Sequence, residues 1–130
     1  MSDQNRKLRS VIETFGSDVE TIREKLISIL ISFYEAQERD VMIGFFFTGR
    51  DLVTIATKQA AFVLKATGLT QTYSGKSPGQ AHTALPKIRL GQFNRRIEIL
   101  RETLTQKGLT VDQVNIWIAF EKMFENVVVG

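Results

Sequence analysis

One hundred and thirty residues suffice for one domain with its own core and are too few for two, so a single domain spanning 1–130 is expected. With 43% hydrophobic residues, 24% charged residues and a net charge of +3, the composition is that of an ordinary globular protein, and the absence of cysteine excludes disulfides, a cysteine nucleophile and cysteine-held clusters. No apolar run reaches the ~18 residues of a membrane span and the start MSDQNRKLRS lacks an apolar secretory core, so a cytoplasmic protein with no membrane partner is expected.

The chain reads as helices throughout. Leu8, Val11, Ile12 and Phe15 predict a short first helix that stops at Gly16. Ser17 with Glu20 forms a capping box, and Val19, Ile22, Leu26, Ile29, Leu30 and Phe33 carry a long second helix to about Glu38. Ile27, Ile31 and Tyr34 widen its apolar stripe, which predicts burial on more than one side. Asp40 can cap a single turn through Met42 and Ile43, after which Gly44 leads into Phe45, Phe46 and Phe47, three rings that cannot all face solvent.

From Asp51 onward, Leu52, Ile55, Ala56, Phe62, Val63 and Ala66 recur at helical spacing up to Gly68, a residue suited to the left-handed helix end. Gln59 falls on that apolar face, where a buried amide costs about 1–3 kcal/mol unless a protein group or a bound ligand hydrogen-bonds it. Ser77, Pro78 and Gln80 then open a short helix carrying Ala81, His82 and Leu85, which Pro86 closes. Phe93, Ile97, Leu100 and Leu104 define a further helix ended by Gly108, and Thr110 with Gln113 caps a last one through Val114, Trp117, Ile118, Glu121 and Phe124. Val127 to Val129 is too short to count as a strand, so the fold class is all-α.

His82 is the only histidine. One histidine without cysteine rules out a tetrahedral structural zinc site, and no serine sits in the strand-turn-helix elbow that a Ser-His-acid triad would use. Haem is the metal chemistry that one histidine can still serve, because it needs a single proximal imidazole and brings four ligands of its own. Spacing alone favours a purely structural histidine over a ligand. Lys87, Arg89, Arg95, Arg96, Arg101 and Lys107 form a basic segment that a nucleic acid could use, but Glu98 and Glu102 interrupt it at helical spacing, which favours a salt-bridged, solvated face and no nucleic-acid partner.

Several short motifs stand in one register: FYE at Phe33 to Glu35, the pair Phe46-Phe47, KQAAFVLKATG from Lys58, YSGKSPGQAHTAL from Tyr73, and Phe93 eleven residues after His82. In this order and spacing they resemble the truncated haemoglobins of group I, over nearly the whole chain. The resemblance implies a truncated globin-like two-on-two helical sandwich enclosing one haem b, with His82 as the proximal metal ligand. It places Tyr34 and Gln59 as the polar pair that hydrogen-bonds the ligand on the distal side, with apolar Ile55 one turn before Gln59. Phe47, or Phe46 beside it, would pack flat on the porphyrin. Phe62, Val63, Leu85, Ile88, Phe93, Ile97, Trp117 and Ile118 would wall the pocket, and Lys58, Tyr73 and Arg50 would meet the haem carboxylates. Val63 stands where the family is often aromatic, and the turns FGSD and TGLTQTYSG depart from its usual glycine-rich forms.

The function so implied is reversible binding of oxygen, with nitric oxide and carbon monoxide as further ligands, by a monomer or weak homo-oligomer. Given a reductase partner, the oxygenated protein could act as a nitric oxide dioxygenase. The competing readings are a haem-based gas sensor or partner-binding module, and a haem-free helical nucleic-acid-binding protein.

Overall fold

Carboxylates and hydroxyls placed just ahead of apolar runs start the helices here, because each satisfies backbone N–H groups that a first turn leaves without partners. The computed structural model describes residues 1–71 and 87–130, and among these it is all-helical: α1 (Asp3–Ile12), α2 (Val19–Arg39), α3 (Leu52–Ala66), α4 (Leu90–Gln106), α5 (Val111–Lys122) and the single turn α6 (Glu125–Val128). Ser2 caps α1 and Asp51 caps α3, the latter accepting from the Val53 and Thr54 N–H groups at 3.1 and 3.3 Å. Thr110 and Gln113 form the expected reciprocal box at the head of α5.

The head of α2 differs from expectation by one residue. Asp18, not Ser17, is the cap, and its carboxylate accepts from the Thr21 N–H at 2.8 Å. A carboxylate at the positive end of a helix is a stronger acceptor than a hydroxyl, which explains the shift. The end of α1 also differs: the α-helix stops at Ile12 and tightens into a 3-10 turn over Glu13–Phe15 before an extended Gly16. Gly68 and Gly108 do adopt the left-handed conformation, with φ of 78° and 90°, and the Leu69 and Leu109 N–H groups reach back to the Leu64 and Leu104 carbonyls.

The second helix, α2, is the centre of the structure. It buries Ile22, Leu26, Ile29, Leu30, Phe33, Tyr34 and Gln37, a stripe too wide for one neighbour, and it packs against both α3 and α4. α4 in turn packs on α5, and α5 on α1. The buried stripe of α3 is Ala56, Ala60, Val63 and Leu64, and small side chains such as its two alanines let helices approach closely. Phe62 of α3 meets Phe120 and Phe124 of the C-terminal region, with centroids 6.4 and 5.4 Å apart. Beyond α6, Val129 makes an isolated parallel bridge to Ile88, and the Gly130 N–H donates to the Ile88 carbonyl at 2.9 Å. No helix is long and apolar enough to cross a membrane among the described residues.

One carboxylate fixes the turn that follows α2. Oδ2 of Asp40 accepts from the Met42 and Ile43 N–H groups at 3.0 and 3.2 Å, as the spacing predicts, while Oδ1 pairs with Arg95 of α4 at 2.8 Å. The next residue to matter is Gly44, where a Cβ would lie 2.4 Å from the Glu38 carbonyl oxygen. The turn therefore sits directly on the end of α2. Its 3-10 helix, Gly44–Phe47, rotates by about a third of a turn per residue. Phe45 is thus 53% exposed while Phe46 and Phe47 are half-buried.

Two outcomes follow from this turn. Gly44→Ala should lower stability by about 1–3 kcal/mol in urea denaturation, because the methyl group has only a backbone carbonyl to displace; an unchanged midpoint would mean that the turn can lift off α2. The hydrogen bond from Arg95, joined by its charge and by the Met42 and Ile43 N–H groups, outweighs burial and holds the Asp40 carboxyl below its ordinary 3.8. A lowered carboxylate pKa stabilises the fold above the ordinary value, and that stability is lost as pH falls through the folded-state value. Wild type should therefore melt above Asp40→Asn at about pH 7, and the gap should close below about pH 4. A gap independent of pH would assign the effect to shape rather than charge.

Candidate functional site

Tyr34 is the polar group that α2 buries most thoroughly beside an aromatic face. It is 6% exposed, its ring lies 5.3 Å from Phe33, and the Phe47 ring meets it edge-on at 5.6 Å and 64°. The 3-10 turn thus brings Phe47 of the FFF run against Tyr34, while Phe46 stacks on the exposed Phe45 at 4.1 Å.

On α3 the residues singled out in the sequence fall into two stripes. Val63 is fully buried with Ala56 and Ala60, whereas Ile55, Gln59 and Phe62, spaced four and three residues apart, form a parallel stripe that is only half-covered. Gln59 is therefore not sealed in the core. Helical residues one position apart differ by about 100°, so one step from Ala60 moves the amide to the edge of the buried face. Lys58 and Arg50 are exposed.

The remaining wall candidates lie on α4, α5 and the segment before α4. Phe93, Ile97 and Ile118 are 3–4% exposed, Trp117 is fully buried with Phe15 at 6.3 Å, and Ile88 is half-buried beside Val129. Tyr73, His82 and Leu85, with the short helix expected from Ser77 to Leu85, lie outside the described residues. Among the described residues no group of three or more His, Cys, Asp or Glu side chains could hold a metal ion.

Next to Phe33 lies a charged pair whose arginine belongs to the segment expected to be solvated. Arg96 of α4 is 22% exposed at its side chain, and its Nη1 donates to Oε2 of Glu121 on α5 at 3.1 Å. The Glu121 side chain is 6% exposed. The guanidinium carbon sits 4.9 Å from the centroid of Phe33. Burial opposes the charge on Arg96, but the Glu121 carboxylate, the Tyr34 oxygen and the hydrogen bonds to both outweigh it and hold the arginine above its ordinary value. Arg95, next in sequence, goes instead to Asp40, and Arg101 goes to Asn115 and Glu98.

Four further polar atoms lie in the interior with no hydrogen-bond partner among the described residues. Gln37 is fully buried with both amide atoms unpartnered, and Glu121 Oε1 and Trp117 Nε1 lack partners one turn apart on α5. Gln37 carries a sequence signal of its burial: it continues the Leu26, Leu30, Phe33 spacing of α2. Glu121 carries one too, since it sits within the apolar run of α5, but nothing local names Arg96, 25 residues earlier, as its partner.

No protein-family model matches the chain, and no curated protein matches it either.

The pair makes a clear prediction about stability. Arg96→Ala leaves the Glu121 carboxylate buried without its cation and should cost about 3 kcal/mol, the lower end for a broken buried pair because Arg96 retains some solvent contact. Arg96→Met combined with Glu121→Leu should recover most of that loss. Urea denaturation of the two variants distinguishes this from a solvated pair, for which both would stay within about 1 kcal/mol of wild type.

Proposed function

We propose that the chain is a truncated-globin-like haem protein of the two-on-two kind, which holds one haem b and reversibly binds oxygen and other diatomic gases. In this reading α2 with α3 and α4 with α5 are the two layers. The observation that carries it is the contact between Tyr34 and Phe47: a phenol buried on α2, edge-on to the phenylalanine that the register of motifs assigns to the porphyrin face.

The donor set among the described residues suits such a group. A haem is an apolar plate with two carboxylates on one edge, and it needs apolar side chains that are not already sealed by other protein. Ile55, Gln59 and Phe62 form a half-covered stripe, and Lys58 and Arg50 are cations at the surface. When bound, haem supplies the iron centre that holds the gas. Tyr34 then offers a hydroxyl donor in a desolvated place, where a hydrogen bond to a polarised ligand weighs more than in water. Gln59, at the edge of the same side, offers an amide that can support that bond or donate a second one. Phe47 and the wall residues exclude water. His82 carries the proximal role on the strength of the sequence register.

A nucleic-acid-binding reading has less support, since Arg95, Arg96 and Arg101 of the basic segment are directed to protein partners. The nitric oxide dioxygenase activity belongs to the haem reading and stands or falls with it, whereas the cytoplasmic location rests on the apolar pattern of the sequence alone.

Titration of the purified protein with haemin tests the proposal. One equivalent should produce a Soret band and raise the melting temperature, because a ligand bound only by the folded state stabilises it by mass action. His82→Ala should lose or greatly weaken the band, and added imidazole should partly restore it. A wild type that leaves haemin spectrally free would falsify the haem reading, and an unchanged band in His82→Ala would remove His82 from the iron.

A further inference from the structure

The turn that closes α2 rests on the head of α4, and together they gather large apolar side chains in the open. Asp40 pairs with Arg95 at 2.8 Å, and the Met42 Cε lies 3.5 Å from where a Cβ on Gly91 would stand, so the turn and the head of α4 form one end of the molecule. On that end Val41 is wholly exposed, and Met42, Phe45 and Leu90 are about half exposed. A single apolar side chain in solvent needs no explanation, but several on two touching segments make a patch, and a patch rimmed by polar groups marks a contact site.

The rim is positive. These segments and their flanks carry four exposed cations, Arg39, Arg50, Lys87 and Arg89, against two exposed acids, Glu38 and Asp51. None of the four cations forms an ion pair among the described residues. The carboxylate inside the patch, Asp40, is already taken up by Arg95 and by the Met42 and Ile43 N–H groups, and Asp51 is turned to the head of α3.

We propose that this end of the molecule is a docking surface for an anionic lipid bilayer, with Val41, Met42, Phe45 and Leu90 entering the headgroup layer and Arg39, Lys87 and Arg89 meeting the lipid phosphates. The proposal is independent of the haem reading. A side chain such as Val41, which loses no surface to its neighbours, stands on a projection rather than in a groove. That shape suits a yielding layer, which needs no matching pocket. The lack of a membrane-crossing helix among the described residues bears on spanning a bilayer, not on resting against one. Each cation near an anionic surface strengthens adsorption by roughly fivefold, and apolar side chains that leave water at the interface add to it.

The test sediments the purified chain with vesicles of phosphatidylcholine, alone or with about one third phosphatidylglycerol. Wild type should bind the anionic vesicles about tenfold more tightly or better than the neutral ones, and salt at about 0.5 M should remove most of that preference. Arg39→Gln/Arg89→Gln and Val41→Ser/Phe45→Ser should each bind about tenfold more weakly, with melting temperatures like that of wild type because all four side chains are exposed.

A second readout locates the contact. The chain has no cysteine, so Phe45→Cys and Ser17→Cys each carry one environment-sensitive dye. Ser17 is exposed just ahead of α2, whose 21 residues put it roughly 30 Å from the turn. Anionic vesicles should shift the emission to the blue at Phe45→Cys and leave it unchanged at Ser17→Cys. Wild type that ignores the anionic vesicles, variants that bind as tightly as wild type, or equal shifts at the two dye positions would each overturn the lipid surface. If vesicles were ignored while sedimentation velocity showed a dimer that Val41→Ser/Phe45→Ser dissolved, the patch would belong to a second copy of the chain. If vesicles were ignored and the chain stayed monomeric, the proposal would fail in favour of a protein partner. Should either double variant not fold, the lipid preference of wild type and the two dye positions decide.

Discussion

A helix covered on two sides cannot send its polar groups to water, and that constraint governs α2. Its sequence places Tyr34 and Gln37 on the buried stripe beside Phe33, so each needs an internal partner or carries a desolvation cost. Arg96 lies over Phe33 of this stripe and requires Glu121, since a lone guanidinium in the same place would be costly. Replacing guanidinium and carboxylate together by apolar groups of similar volume would make an easier core.

The turn after α2 is determined from the same end. Asp40 ties it to α4 through Arg95, and Gly44 seats it on the Glu38 carbonyl, so the Phe45 to Phe47 run begins from a fixed point and direction. With the start fixed and the 3-10 pitch known, only the last two rings can turn inward. The contact of Phe47 with Tyr34 therefore depends on a glycine and an aspartate that touch neither ring.

Much of this was legible in the chain. Helix positions, the Asp40, Asp51 and Thr110 caps and the left-handed Gly68 and Gly108 follow from local rules, each involving residues no more than about five apart, where spacing decides geometry. The Ser17 to Asp18 difference shows the limit of such rules: two good caps stood side by side, and electrostatics at the helix end chose. Gln59 shows another limit, because a stripe read from spacing has soft edges and one residue separates a sealed side chain from a half-covered one. Arg96 was read as surface because its partners come from α2 and α5, far along the chain in both directions. Charge periodicity within α4 pointed to Glu98 and Glu102 instead. Nothing within one helix distinguishes a solvated arginine from one that a neighbouring helix covers.

The two alanines of α3 have a further consequence. Ala56 and Ala60 are fully buried on the helix that packs against α2, and small side chains at a contact let two helices approach closely. The adjacent stripe of Ile55, Gln59 and Phe62 is only half-covered. Its chemistry can be retuned one residue at a time, from apolar to amide or from aliphatic to aromatic, without moving the helix that carries Tyr34. The packing of α3 and the chemistry of its half-covered stripe are in this way carried by two lines of residues one step apart around the same helix.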